Sequence, residues 1–90
     1  MPLTDDERRK RLLFRSWHRG TKEADLLLGS FAEANLAGFS PAELESYEEL
    51  LEQEDADLWD WMIGHTEPPA AFDTPIMRAL RAFRYTARSA

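Results

Sequence analysis

The 90-residue chain has no cysteine, only two histidines and no long apolar run, and each shortage excludes a class of protein. Without cysteine there are no disulfides, thiolate zinc sites or thiol nucleophiles. The longest apolar stretch, residues 24–36, contains Asp25 and Glu33 and cannot span a bilayer. Residues 1–9 contain Asp5, Asp6 and Glu7 and resemble neither a signal peptide nor an acid-poor transit peptide. We therefore expect a cytoplasmic protein that does not insert into membranes.

β-Branched residues are also few, and no segment alternates apolar and polar residues. Apolar residues recur instead at helical spacing, and helix start signals divide the chain into five segments. The predicted starts are Thr4, Thr21, Ser40 before Pro41, Asp55 or Asp57, and Thr74 before Pro75. Because 90 residues suit one domain, we expect residues 1–90 to form an all-α, five-helix antiparallel bundle with short loops.

Helical spacing also predicts which faces are buried. In the first helix we expect an apolar sector of Leu13, Phe14 and Trp17, opposite a basic stripe of arginines. Gly29 is a weak helix former inside the second helix, so it predicts close approach by a neighbouring helix. The predicted packed face of the last helix consists of Ile76, Ala79, Leu80, Phe83 and Ala87.

Basic residues are almost missing from the middle of the chain. Residues 1–20 and 68–90 each have a net charge of +3, whereas residues 21–67 have −12, giving −6 overall. The acidic middle would repel phosphate, so we expect no nucleic-acid binding. The sequence leaves two interpretations of the basic stripe open: a solvated face paired with the acidic middle, or a partner-facing surface. The stripe consists of Arg8, Arg11, Arg15 and Arg19.

Catalytic signatures are equally sparse. The chain has no nucleophile motif, no histidine pair at ligand spacing and no glycine-rich phosphate loop. The glutamates at positions 43–54 are expected to form a solvated acidic face rather than a metal or acid–base site. We therefore predict no enzyme activity, no metal site and no stably bound cofactor, which leaves an interaction module.

Residues 17–23 do not suit a plain helix. An Arg19–Glu23 pair would contribute about 0.3–0.5 kcal/mol, while Gly20 in a helix interior would cost about 1 kcal/mol. Because the glycine costs more than the ion pair returns, we predict a corner between two helices, with Gly20 or Thr21 as the cap. We expect its charged groups to face a partner protein. A corner buried away from solvent, with its arginine consumed by internal contacts, would contradict this.

The segment Arg-Gly-Thr-Lys-Glu at residues 19–23 matches the Arg-Gly-x-x-Glu motif of the SdhE family, the succinate dehydrogenase assembly factor 2 proteins. Arg-Ser-Trp-His precedes it, Asp-Leu-Leu-Leu-Gly and Phe-Ala follow it, and Asp-Leu-Trp-Asp-Trp occupies residues 57–61. In this order the segments resemble the family over about residues 8–70. The last helix is the least similar part.

The resemblance implies a small helical FAD assembly factor. Such a chaperone binds the flavoprotein subunit of succinate dehydrogenase, with fumarate reductase as a further candidate partner, and promotes covalent attachment of FAD to a histidine of that subunit. It implies partner contacts at Arg19, Gly20 and Glu23. We add as further candidate contacts Arg15, Trp17, His18, Asp25 and Trp59.

In this interpretation Arg19 makes a bidentate contact with a carboxylate or a flavin phosphate. Gly20 lets the backbone approach the partner, and Glu23 either meets a basic group there or holds Arg19 in place. Two alternatives remain open: an antitoxin-like or regulatory binding module, and a direct carrier of FAD. The missing dinucleotide-binding fingerprint argues against the carrier.

Overall fold

Five α-helices and two short 3₁₀ helices make up the described part of the chain. The computed structural model describes residues 4–89, with side chains through residue 83. The helices are α1 (Asp5–Ser16), α2 (Lys22–Asn35), α3 (Pro41–Leu51), α4 (Asp55–Met62) and α5 (Pro75–Ser89), and the 3₁₀ helices are Leu36–Gly38 and Ala70–Phe72. No strand occurs within residues 4–89, and the predicted all-α fold with five α-helices is confirmed.

Both α1 and α3 begin with a capping box, as their sequences predict. The Glu7 amide donates to Thr4 Oγ1 at 3.1 Å, and the Thr4 amide donates to Glu7 Oε1 at 3.1 Å. Ser40 and Glu43 repeat the arrangement at the start of α3, where Pro41 is the first helical residue. Each box satisfies two backbone amides that would otherwise lack partners. Residues close in sequence therefore fix both helix starts.

The start of α4 differs from the prediction. Its N-cap is Glu54, whose side chain makes no capping hydrogen bond, so the expected cap at Asp55 or Asp57 is wrong. Both aspartates lie instead in the first turn, where a negative charge interacts favourably with the helix dipole. An ion pair between Asp55 and Arg19, which precedes α2 in the chain, holds this helix start.

The core lies where all five helices meet. α1 packs against α2 and α3, and α5 packs against α2, α3 and α4. The ring of Phe31 is central, with its centroid 5.6–6.1 Å from those of Phe39, Tyr47 and Phe83. Tilted and edge-to-face aromatic pairs at such distances add to the stability from apolar burial. Other buried side chains include Leu12, Leu28, Leu44, Leu50, Leu58, Met62, Met77 and Leu80.

The predicted buried face of α1 is wrong at Phe14, which is 65% exposed. Leu12 and Ser16 face the core instead. Ser16 Oγ donates to the Leu12 carbonyl at 2.7 Å, and its one proton is then used, so Tyr47 Oη donates to Ser16 Oγ at 2.6 Å. Burial raises the pKa of Tyr47 to about 12, which keeps this phenol a neutral donor. Because Ser16 faces the core, Phe14, two residues earlier on the helix, faces solvent.

The predicted face of α5 needs one correction. Ile76 and Leu80 are buried as expected, but Ala79 is exposed and Met77 is buried in its place. Phe83 packs at the edge of the core. The side chain of Ala87 lies outside the described residues.

Candidate functional site

The predicted corner joins α1 to α2 at the protein surface. α1 ends with Trp17 as its C-cap, and Thr21 caps α2 by accepting a hydrogen bond from the Ala24 amide at 3.2 Å. His18, Gly20 and Thr21 are all exposed. The corner is therefore accessible to a partner.

Gly20 is required by the backbone of this corner. Its φ is +123°, in a region that residues with a side chain rarely adopt. A Cβ built there would lie 3.5 Å from Asp55 Oδ2, which is ordinary van der Waals contact. The need for glycine thus comes from the conformation of the chain and not from crowding. Backbone approach by a partner at Gly20 stays a prediction.

Asp25 holds the corner from the first turn of α2. Its Oδ1 accepts hydrogen bonds from the backbone amides of Arg19 and Gly20, the latter at 3.3 Å. Hydrogen bonds to an ionised carboxylate are stronger than those between neutral groups. Asp25, a candidate partner contact in the sequence, therefore already stabilises the shape of the corner.

The direction of the Arg19 side chain differs from the prediction. Only 10% of this side chain is exposed. Nη1 donates to the Leu51 carbonyl at 2.6 Å, and Nη2 donates to the Gln53 carbonyl at 3.0 Å and pairs with Asp55 Oδ1 at 2.7 Å. The guanidinium is therefore used within the chain, and the expected bidentate contact with a partner carboxylate or phosphate stays a prediction. The corner is exposed, but the guanidinium of Arg19 is engaged by contacts within the chain.

Arg15 and Arg19 together stabilise the C-terminus of α3. Arg15 Nη2 lies 3.4 Å from the Leu51 carbonyl and 3.2 Å from Glu52 Oε1. α3 has no basic residue in its own last turn. Two arginines from the α1 side thus provide donors for its last carbonyls and positive charge at the negative end of its dipole. Arg15 is therefore also used within the fold.

The basic stripe divides into internal and external members. Arg8 Nη2 lies 3.8 Å from Glu48 Oε2, so three of the four arginines pair with the acidic middle of the chain. Arg11 is exposed and has no ion-pair partner among the residues that the structure describes. Pairing with the acidic middle is thus confirmed for three members of the stripe, and a partner-facing role for Arg11 stays a prediction.

The other predicted site residues line two open grooves, one on each side of the α2 start. The first groove brings Trp17, His18 and Asp25 together with Gly20, and its other lining residues are Thr21, Lys22 and Leu26. The second places Glu23 beside Trp59, and its other lining residues are Thr21, Ala24, Asp55 and Ala56.

Asp55 was missed as a site residue, although it lines the second groove and holds Arg19. The prediction that Glu23 holds Arg19 is wrong, because Asp55 makes that ion pair. Glu23 is exposed and has no ion-pair partner within the described part of the chain. No feature of the sequence distinguishes Asp55 from its acidic neighbours Glu52, Glu54 and Asp57.

The His18 ring is fixed against Phe14. Nδ1 lies 2.6 Å from the Phe14 carbonyl, and because a carbonyl only accepts, Nδ1 carries a proton. The two rings stack with centroids 4.0 Å apart and an interplanar angle of 18°. Both side chains are exposed, so this stack is a preformed surface feature.

The described residues include no cluster of three or more histidine, aspartate or glutamate side chains suited to a metal ion. Within the same residues, no helix has the length and apolar character needed to cross a membrane. The expected absence of a metal and of a stably bound cofactor stays a prediction.

Gly20 variants can separate backbone strain from bulk at the corner. Gly20→Ala and Gly20→Arg both impose φ +123° on a residue with a Cβ, so we expect both to lose about 1–3 kcal/mol of unfolding free energy. Only arginine adds a long side chain at the exposed surface. Urea unfolding should give similar losses for both, while Gly20→Arg alone abolishes partner binding. Equal binding by the two folded variants would contradict a docking role for this corner.

Comparison with known proteins identifies the family. A family model described as "Flavinator of succinate dehydrogenase" matches residues 10–84. The chain is 44% identical over 73 residues to the FAD assembly factor SdhE of Acetobacter pasteurianus, covering 81% of this chain and 67% of that protein. It is 40% identical over 73 residues to the mitochondrial succinate dehydrogenase assembly factor 2 of Dictyostelium discoideum, covering 81% and 52%.

A third relative, the mitochondrial succinate dehydrogenase assembly factor 2-B of Drosophila persimilis, is 38% identical over 86 residues, covering 89% of this chain and 55% of the relative. The chain thus spans about two thirds of the bacterial relative and about half of these mitochondrial ones. The motif implies an assembly factor and not an enzyme, and the names of the relatives agree with this role. The chain belongs to the family of flavinators of succinate dehydrogenase.

Proposed function

We propose that this chain binds the flavoprotein subunit of succinate dehydrogenase and promotes covalent attachment of FAD to a histidine of that subunit. The observation that carries the proposal is the family match, because it runs from residue 10 to residue 84 and so includes the corner and both grooves. The flavoprotein of fumarate reductase is a second proposed partner, because the family resemblance implies it as a further candidate.

In this proposal the flavoprotein carries out the chemistry and the chain changes its conformation. A binder shifts an equilibrium only by its difference in affinity for the two states. A preference of about 2.7 kcal/mol would raise the population of a minor, reactive conformation roughly a hundredfold. That conformation would hold the histidine nitrogen against the flavin carbon. The chain then needs a shaped surface and no FAD site of its own.

We propose that the contact surface is the exposed corner and the second groove, with Gly20, Glu23 and Trp59 as its central residues. Glu23 supports this because it is exposed and has no ion-pair partner in the described part of the chain, so it is free to meet a basic group. Arg19 acts as a positioning residue in this scheme. By joining the end of α3 to Asp55 at the start of α4, it sets where Trp59 lies relative to Glu23.

The flavoprotein, expressed with and without the chain, provides the test. Covalent FAD is read as in-gel flavin fluorescence, and binding as co-purification. We expect a stable complex and a large loss of fluorescence when the chain is absent. Equal fluorescence without it, or recovery of a small toxin in place of the flavoprotein, would contradict the proposal.

Glu23→Gln tests the surface within the same assay, and Glu33→Gln is its matched control, because both glutamates are exposed on α2. Glu23 lines the second groove beside Trp59, whereas Glu33 lies about three turns further along the helix. We expect about tenfold weaker binding for Glu23→Gln, as is common for loss of a charged interface contact, and no change for Glu33→Gln. Equal binding by both variants would show that Glu23 is not part of the contact surface.

We also propose that the chain acts in the cytoplasm. Its relatives include a bacterial protein and a mitochondrial one, so we expect the chain in the same compartment as its flavoprotein.

The net charge of −6 supports the proposed absence of nucleic-acid binding, because an acidic surface repels phosphate.

A further inference from the structure

A second surface, next to the proposed one, carries the exposed apolar side chains of the described residues. Phe14 is 65% exposed and Leu26 is 52% exposed, and no other large apolar side chain that the structure describes is so accessible. Single exposed apolar residues are normal on protein surfaces. These two, however, belong to one continuous strip, which we call the outer ridge. It consists of Arg11, Phe14, His18, Lys22 and Leu26.

The continuity of the outer ridge follows from contacts. Arg11 and Phe14 are three residues apart on α1 and so share a face. Phe14 stacks on His18, and His18 lines the same groove as Lys22 and Leu26. The ridge thus crosses from α1 to α2 over the outside of the corner.

The charge of the outer ridge is opposite to that of the whole protein. Arg11 and Lys22 are exposed and have no ion-pair partner among the described residues, on a chain whose net charge is −6. Two carboxylates lie near the ridge. Asp25 accepts from the amides of Arg19 and Gly20, and Glu7, one turn before Arg11 on α1, accepts from Thr4. The ridge therefore presents aromatic surface flanked by two cations that have no ion-pair partner among the described residues.

The ring of Phe14 is also held in place before any partner binds. The His18 ring lies against one face of it at 4.0 Å, and the bond from His18 Nδ1 to the Phe14 carbonyl fixes that ring in turn. An anchor that is ordered beforehand loses less side-chain entropy on binding. Aromatic residues of this kind dominate the energetics of many interfaces.

We propose that the outer ridge docks on the flavoprotein subunit, at an apolar pocket bordered by carboxylates. This rests on the proposed function and adds a second contact region with a defined partner chemistry. Phe14 fills the pocket, and Arg11 and Lys22 meet the carboxylates. A symmetric dimer of this chain fits less well, because such an interface brings the same cations of two copies together.

Binding of the purified chain to the purified flavoprotein tests the proposal. Phe14→Ala removes the anchor, and Arg11→Glu reverses a ridge charge. Arg78→Glu is the matched control, because Arg78 is an exposed arginine on α5 that pairs with Asp73 and lies outside the ridge. We expect Phe14→Ala to raise Kd about tenfold and Arg11→Glu to raise it several-fold, more strongly at low salt. Arg78→Glu should change Kd less than twofold.

Thermal melts of each variant establish that it is folded. If the wild-type chain binds but Phe14→Ala and Arg11→Glu bind equally well, the outer ridge is not a docking surface and the proposed function stands. If the wild-type chain does not bind the flavoprotein, both proposals fail. Sedimentation of the chain alone that reveals a dimer lost in Phe14→Ala would overturn the flavoprotein as occupant of the ridge.

Discussion

Gly29→Ala is expected to destabilise the protein, although alanine is the better helix former. Gly29 is buried within α2, and a Cβ built there would overlap the indole ring of Trp17. Alanine gains about 1 kcal/mol in helix propensity, but the ring must move, and overpacking of this kind costs about 1–3 kcal/mol. Displacing the indole also loses its packing against α2. We expect a net loss of about 2 kcal/mol in unfolding free energy, measured by urea denaturation.

The control for this prediction is the same substitution without the indole. In a Trp17→Ala background the ring is gone, so Gly29→Ala should be neutral or should stabilise by up to about 1 kcal/mol. The effect of one substitution thus changes sign with the residue at position 17. Stabilisation by Gly29→Ala in the wild-type background would show that Trp17 moves without cost and would contradict the packing seen here.

Gly29 also illustrates what the sequence could predict. A glycine in a helical pattern indicated close approach, and this is confirmed, since Trp17 at the end of α1 occupies the space of the missing Cβ. The capping boxes at Thr4 and Ser40 were predictable for the same reason, because each depends on residues three apart. The sequence is sufficient to predict a contact where the residues that make it are neighbours in the chain.

Contacts between distant residues explain what the sequence did not predict. Phe14 was expected to be buried because apolar spacing cannot recognise Ser16 as a core residue, yet Ser16 pairs with Tyr47, 31 residues away. The position of the corner followed from Gly20, but the direction of Arg19 did not. Its main acceptors are backbone carbonyls at the end of α3, which no residue type identifies.

Arg19→Ala is expected to destabilise the protein by about 3 kcal/mol, because removing one member of a largely buried charged network leaves its partners unsatisfied. The carbonyls of Leu51 and Gln53 lose donors, and the C-terminus of α3 loses a cation. Asp55→Asn should cost less, about 1 kcal/mol, because the Asp55 side chain is 51% exposed and water replaces part of its contact. Urea denaturation of both variants gives the comparison.

Arg19→Lys and Asp55→Asn together distinguish a positioning role from direct contact with the flavoprotein. Lysine keeps the charge but cannot reach three acceptors in the fixed geometry of a guanidinium. If Arg19 positions the start of α4, Arg19→Lys should lose both stability and flavinylation, and Asp55→Asn should show a smaller loss of both. If Arg19 instead leaves its internal contacts to bind the partner, Arg19→Lys should again lose both, because the free chain contains those contacts. Asp55→Asn should then bind at least as well as the wild type, because it releases the guanidinium from its ion pair. That second pattern would contradict the role that the buried guanidinium indicates.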